Sequence, residues 1–235
     1  MTAPTLSLHD PLIQSLLWSV ATVLLYLIAK RLYRHWPRWW LMPLAVTPAC
    51  LIILVQMLHE DYRDYIRGTG WLVSLLGPAT VAFAVPIYEQ RELIRRQWPV
   101  LTIGMLVGSA TAVGTSWLFA TLLGLDGPLR QSLLPRSIST PFAMAVSGDI
   151  GGIPDLTAVF TVLTGVLGAV LGEAMLAWLP VRSTLARGAL FGTAAHGAGT
   201  AKAHEIGREE GSIAGLVMVL VGLMNVLVVT LFVHL

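Results

Sequence analysis

Charge is what this sequence has least of. Lys, Arg, Asp and Glu make up 12% of the 235 residues, about half the share of a soluble domain. Hydrophobic residues make up 55%, so most of the chain belongs in a bilayer. The net charge of +2 is small and scattered over short loops, which excludes a nucleic-acid footprint. There is one cysteine, Cys50, in an apolar run, so no internal disulfide can form. Catalytic signatures are absent too. His204-Glu205 is followed at position 208 by Arg, not by the second His of a zinc-protease helix. No G-x-S-x-G occurs. Asp149 has no second in-span aspartate with which to form a dyad. No enzyme activity, metal or cofactor is expected. The first eleven residues hold no Lys or Arg, so no secretory leader is expected either.

What is present is a series of apolar spans. The first covers 12–30 and runs into Lys30, Arg31, Arg34 and Arg38 among Trp36, Trp39 and Trp40. Cations with an aromatic belt mark a cytoplasmic interface, which places the N-terminus outside. Further spans are expected at 41–58, 71–88, 99–124, 155–179 and 211–234. Gly77, Pro78 and Pro86 should interrupt 71–88. Gly104 and Gly108 offer a G-xxx-G packing face. The run 138–147 is too short to cross, and Gly-Asp-Ile-Gly-Gly follows it. With Pro141, Gly151, Gly152 and Pro154 as breaks, it reads as a half-helix or re-entrant segment. The expected fold is an all-α polytopic membrane protein of about seven transmembrane segments plus that half-helix. It forms a single integral membrane domain, 1–235. Within it, 1–70 are N-terminal spans, 71–124 a first broken-helix unit and 126–235 a second.

One stretch is unlike lipid-facing sequence. Leu190–Gly207, LFGTAAHGAGTAKAHEIG, is almost free of large apolar side chains and carries Thr193, His196, Gly197, Gly199, Thr200 and Lys202. Ionisable side chains at membrane depth persist mainly where protein or water surrounds them. The stretch has an echo earlier in the chain. Gly77-Pro78-Ala79-Thr80 and Gly192-Thr193-Ala194-Ala195 each follow apolar pairs, and each segment runs into a charged loop and then a glycine-bearing span. Interrupted segments at matching places in two halves point to a transporter site. The repeat is inverted if 138–153 does not cross and parallel if it does. Loop charges favour neither topology.

Three motifs, LLGPATVAFAVPIY, LPRSISTPFAMAVSGDIGGIPDLTAVF and LFGTAAHGAGTAKAHEIG, resemble the LrgB/CidB family of bacterial membrane proteins. The likeness runs from about Trp71 to Leu235. It departs from the family pattern at Arg136, where Lys is commoner, and at Ala198 and His204. The resemblance implies a multi-pass protein of the bacterial cytoplasmic membrane. It further implies control of murein hydrolases and autolysis, with a small LrgA/CidA-like membrane partner. A plastid relative carries glycolate and glycerate, and bacterial members are linked to pyruvate. The implied substrate is a small carboxylate, and a homo-oligomer is possible.

A carboxylate leaving water needs hydrogen-bond donors and positive potential. The candidates for supplying them are Thr80, Arg136, Ser137, Ser139, Thr140, Thr193, His196, Gly197, Gly199, Thr200 and Lys202. His196 and Asp149 are candidate proton sites. Each has a structural alternative. The glycines can serve packing alone, and His196 can be a packed interior histidine. Lys202 can snorkel to the interface, Arg136 can be a topology charge, and Asp149 can shape a turn.

Overall fold

The computed structural model describes residues 11–82 and 84–233. The described residues form helices and no strands. Among the described residues, five stretches are long and apolar enough to cross a bilayer: Gln14–His35, Tyr62–Glu89, Arg91–Leu122, Pro154–Trp178 and Arg208–Leu231. Pro43–Met57 is apolar but shorter. The chain divides into two compact units, Met1–Ala79 and Thr80–Leu235.

The first unit holds α1 (Pro11–His35), a 3-10 turn (Trp39–Leu41), α2 (Pro43–Met57) and α3 (Tyr62–Ser74). Polar contacts and a small residue join α1 to α3, as expected where lipid is as apolar as leucine. A Cβ on Gly68 would stand 3.2 Å from the Ser15 Cα. The Gly68 carbonyl accepts from the Ser15 and Ser19 hydroxyls at 3.0 and 3.1 Å. Trp71 Nε1 donates to Ser19 Oγ at 2.7 Å. After Ser74 the helix is interrupted at Leu75, and α4 (Leu76–Ala82) begins. Pro78 explains the interruption. It has no N–H for the Ser74 carbonyl, and its ring crowds that carbonyl.

The second unit continues with α5 (Ala84–Glu89), α6 (Arg91–Leu122), α7 (Gly127–Leu133) and α8 (Thr140–Asp149). It ends with α9 (Pro154–Trp178), α10 (Thr184–Ile206) and α11 (Arg208–Val233). Pro86 does not break its helix. It lies within α5, which continues past it to Glu89. A kink at Gln97, ahead of Pro99, bends α6 instead. Ile138, Phe142, Ala143 and Val146 pack into a core with Leu101 of α6 and with Val217 and Val221 of α11.

The crossing helix α9 has two faces. Leu163, Leu167 and Leu171 recur every four residues and stand more than half exposed, a lipid-facing row. Thr157, Thr161, Gly165, Ala169 and Gly172 form a buried row of small residues. Such a row lets backbones approach closely. Both structures that build the candidate site lean on it.

Candidate functional site

The first is α10, which folds back on itself at His196 (φ 35°, ψ −119°). Gly199 reveals the reversal. A Cβ there would run into the Phe191 carbonyl, which lies about 12 Å away in a straight helix. The first arm, 184–195, descends along α9. There Gly172 faces the Phe191 ring, Gly168 the Ala194 carbonyl and Gly165 the His196 imidazole. The second arm, 197–206, returns along α11, with Thr200 beside Gly215 and Met218 and His204 against Gly211. Gly192 makes this possible, because a Cβ there would strike the Ala214 carbonyl. The stretch therefore enters and leaves at one face instead of crossing.

The tip of this hairpin sits at mid-depth. Gly165, on which the His196 ring rests, is about 16 Å from the start of α9 and about 20 Å from its end. Half a hydrocarbon core is about 15 Å. His196 is 5% exposed, and its Nε2 has no hydrogen-bond partner among the described residues. Its positive φ is a conformation that costs a non-glycine residue about 1–3 kcal/mol. The Thr200 hydroxyl steadies the bend by donating to the His196 carbonyl at 2.9 Å.

The second structure is a hairpin of α7 and α8 that enters at the opposite end of α9. Its base is a knot of engaged hydroxyls. Ser132 Oγ donates to the Pro128 carbonyl at 2.6 Å and accepts from Ile153 N at 2.7 Å. Thr157 Oγ1 lies 3.0 Å from the Ser132 carbonyl and 2.6 Å from Ser147 Oγ. Gly151 turns the chain with φ 85°, and Gly152 leaves no room for a side chain between Ser147 and Ser132. The ten residues of α8 rise about 15 Å, half a crossing. Phe142 in its first turn packs on Gly222, near the middle of α11. The segment 138–153 thus runs from mid-depth to one face.

Arg136 occupies the inward end of this second hairpin. Its Nε donates to Ser116 Oγ of α6 at 3.0 Å, and its Nη1 to Thr164 Oγ1 of α9 at 3.3 Å. Among the described residues no carboxylate pairs with it. Thr164 precedes Gly165, so Arg136 and His196 are anchored on consecutive residues of α9. Buried Ser137 and Ser139, with half-buried Thr140, line the start of α8. Ser139 is the N-cap residue yet makes no side-chain cap bond, and none of the three hydroxyls has a partner among the described residues. The contrast with the hairpin base is plain. There every hydroxyl serves the scaffold, while here the hydroxyls, the N–H groups of a helix start and a cation have few protein acceptors.

Other candidates lie elsewhere. Lys202 is at the face where α10 begins and ends, 3.0 Å from both Glu173 and Glu205. Its task there is to tie the second arm to α9. Because Glu173 is well exposed, Lys202→Ala should cost no more than about 1 kcal/mol of stability, measured by thermal unfolding in detergent. Asp149 is exposed at the far end of α8, about 15 Å from the start of that helix. It does not join His196. Thr80 is half-buried in α4. The Thr193 methyl packs on Gly108, and Gly197 and Gly104 face open space. Ser116, Thr164 and Gly165 were not singled out in the sequence. The four-residue spacing of small residues in α9 would have pointed to Gly165, but nothing marks Ser116 or Thr164 among ordinary membrane hydroxyls. No group of three or more His, Cys, Asp or Glu able to hold a metal occurs among the described residues.

Residues 22–235 match the LrgB-like family. Uncharacterized protein YwbG of Bacillus subtilis (strain 168) is 43% identical over 204 residues, 87% of this chain and 91% of the relative. Holin-like protein CidB of Staphylococcus aureus (strain Mu50) is 30% identical over 213 residues, covering 91% and 93% of the two chains. Antiholin-like protein LrgB of Bacillus subtilis (strain 168) is 33% identical over 193 residues, covering 82% and 84%. No solved structure matches. With a likeness that takes in both hairpins and every helix between them, the chain belongs to the LrgB-like family.

Proposed function

We propose that the second unit is a transporter for small organic anions, of the pyruvate, glycolate and glycerate kind, in a bacterial cytoplasmic membrane. The observation that carries this reading is Arg136: a cation inside the hydrocarbon depth, held by two neutral hydroxyls and by no carboxylate. An arginine there is costly without an anion. The free hydroxyls of Ser137, Ser139 and Thr140 and the start of α8 supply further donors. On this reading His196 is the second contact and the proton-carrying group of a proton-coupled cycle.

The architecture suits the same task. A hairpin followed by a crossing helix occurs twice, at 126–178 and at 184–233, entering from opposite faces. We read the two as an inverted repeat, the arrangement by which transporters expose one site alternately to either side. Arg91, Arg95, Arg96, Arg182, Arg187 and Arg208 gather at the face from which α10 enters, against Arg130 near the other. That asymmetry favours a cytoplasmic α10 face.

The printed names of the relatives favour a second reading, a holin-type or antiholin-type regulator that acts on autolysis through an LrgA/CidA-like partner or its own oligomers. Thiol accessibility separates the two. In a Cys50→Ser background, a cysteine replacing Ser139 should react with a water-borne thiol reagent, and millimolar pyruvate should slow that reaction severalfold. A reaction rate indifferent to every carboxylate tested would favour the regulator.

A further inference from the structure

The second unit holds another polar pair at membrane depth that the site above does not use. Asn225, within the apolar helix α11, donates through Nδ2 to Ser109 Oγ of α6 at 2.9 Å and to the Val221 carbonyl at 2.8 Å. A carbonyl only accepts, so the bond to Val221 fixes which end of the amide is nitrogen. Both N–H groups are then spent, and the amide oxygen is left without a partner among the described residues. Ser109 accepts in this bond, and its own O–H has no recipient among those residues either. The pair thus presents one free acceptor and one free donor side by side.

Its position relates it to Arg136. Ser109 and Ser116, which anchor Asn225 and Arg136, lie two turns apart on one face of α6, about 10 Å along the axis. That interval accommodates a guanidinium–carboxylate contact, a two- or three-carbon acid and one more hydrogen bond, each close to 3 Å. Gly108, beside Ser109, carries Thr193 of the α10 hairpin on its bare backbone, which brings the reversing segment to the same level.

Resting on the transport reading, we infer that Asn225 and Ser109 form a second subsite that recognises an oxygen on the carbon next to the carboxylate. Arg136 takes the carboxylate. A 2-hydroxyl donates to the Asn225 amide oxygen and accepts from the Ser109 hydroxyl, whereas a 2-oxo group can only accept from Ser109. The pair ranks substrates as 2-hydroxy acid, then 2-oxo acid, then the unsubstituted acid. A purely structural amide, tying α6 to α11, would set no such order.

The test is uptake of labelled lactate, pyruvate and propionate by the full chain in proteoliposomes. These acids share three carbons and differ at one oxygen. The wild-type protein should prefer lactate over propionate by at least tenfold, since a site built around a hydroxyl leaves its own groups unpaired with the analogue lacking it. Asn225→Leu and Ser109→Ala should each shrink that ratio to within about threefold of unity. Propionate uptake should rise, since the groups it leaves unpaired are removed, and Asn225→Gln should restore part of the preference. Ser109→Ala, the smaller change, decides the matter if Asn225→Leu does not insert. If the wild type carries these acids and both variants keep its preference, the subsite is wrong and the transport reading stands. If the wild type carries none of them, the transport reading fails and takes the subsite with it.

Discussion

Arg136→Gln should reduce carboxylate uptake about a hundredfold or more, while the protein still inserts and unfolds at nearly its usual temperature. A charge-assisted bond to a bound anion is worth about 1.5–3 kcal/mol, and two such bonds from one guanidinium set the hundredfold scale. Stability should change little, because Arg136 contributes only hydroxyl contacts to Ser116 and Thr164 and satisfies no buried carboxylate. Gln keeps a donor for Ser116 and loses the charge. Arg136→Lys keeps the charge but not the planar fork, and should fall between. Initial rates in vesicles, normalised to inserted protein, give the comparison. Equal losses for Lys and Gln would point to shape, not charge.

The second large effect concerns glycines, and it is selective. Gly199→Ala and Gly192→Ala should each cost about 2–4 kcal/mol and leave little folded protein. At these two positions a Cβ meets backbone, the Phe191 carbonyl and the Ala214 carbonyl, which cannot move aside as a side chain would. Gly197→Ala and Gly104→Ala should be tolerated, since open space surrounds both. Thermal unfolding in detergent reads the difference directly. Four glycines that look alike in the sequence should separate into two that fail and two that survive.

The same residues show how much was legible beforehand. The half-helix at 138–153 could be read from the sequence, because ten apolar residues bounded by Pro141 and a glycine-rich turn cannot cross. Leu190–Gly207 stood out by composition, but its path did not. Its reversal depends on the small-residue row of α9 and on Gly211 and Gly215 of α11, contacts that local patterning does not encode. The bend falls at His196, next to a glycine that a local rule would have chosen for the positive φ. Matching by interrupted segments and the charged loops after them paired 71–88 with 190–207. The structure folds 126–153 and 184–206 into hairpins, built by small residues and hydroxyls. Read from the sequence, loop charges favoured neither topology. Once both ends of α10 share a face, six arginines of the second unit collect there. In the site, Arg136, Ser137, Ser139 and Thr140 were legible as a motif. Their partners Ser116 and Thr164 were not, since membrane hydroxyls usually bond their own helix.

On the transport proposal, the two hairpins, the arginine without a carboxylate partner and the hydroxyls of Ser137, Ser139 and Thr140 all serve a bound anion. Purified protein in liposomes, with an imposed proton gradient and labelled pyruvate outside, tests this most directly. The expected result is saturable uptake above protein-free liposomes, competed by glycolate and lost in Arg136→Gln. Uptake no greater than in protein-free liposomes, or undiminished in Arg136→Gln, would contradict it.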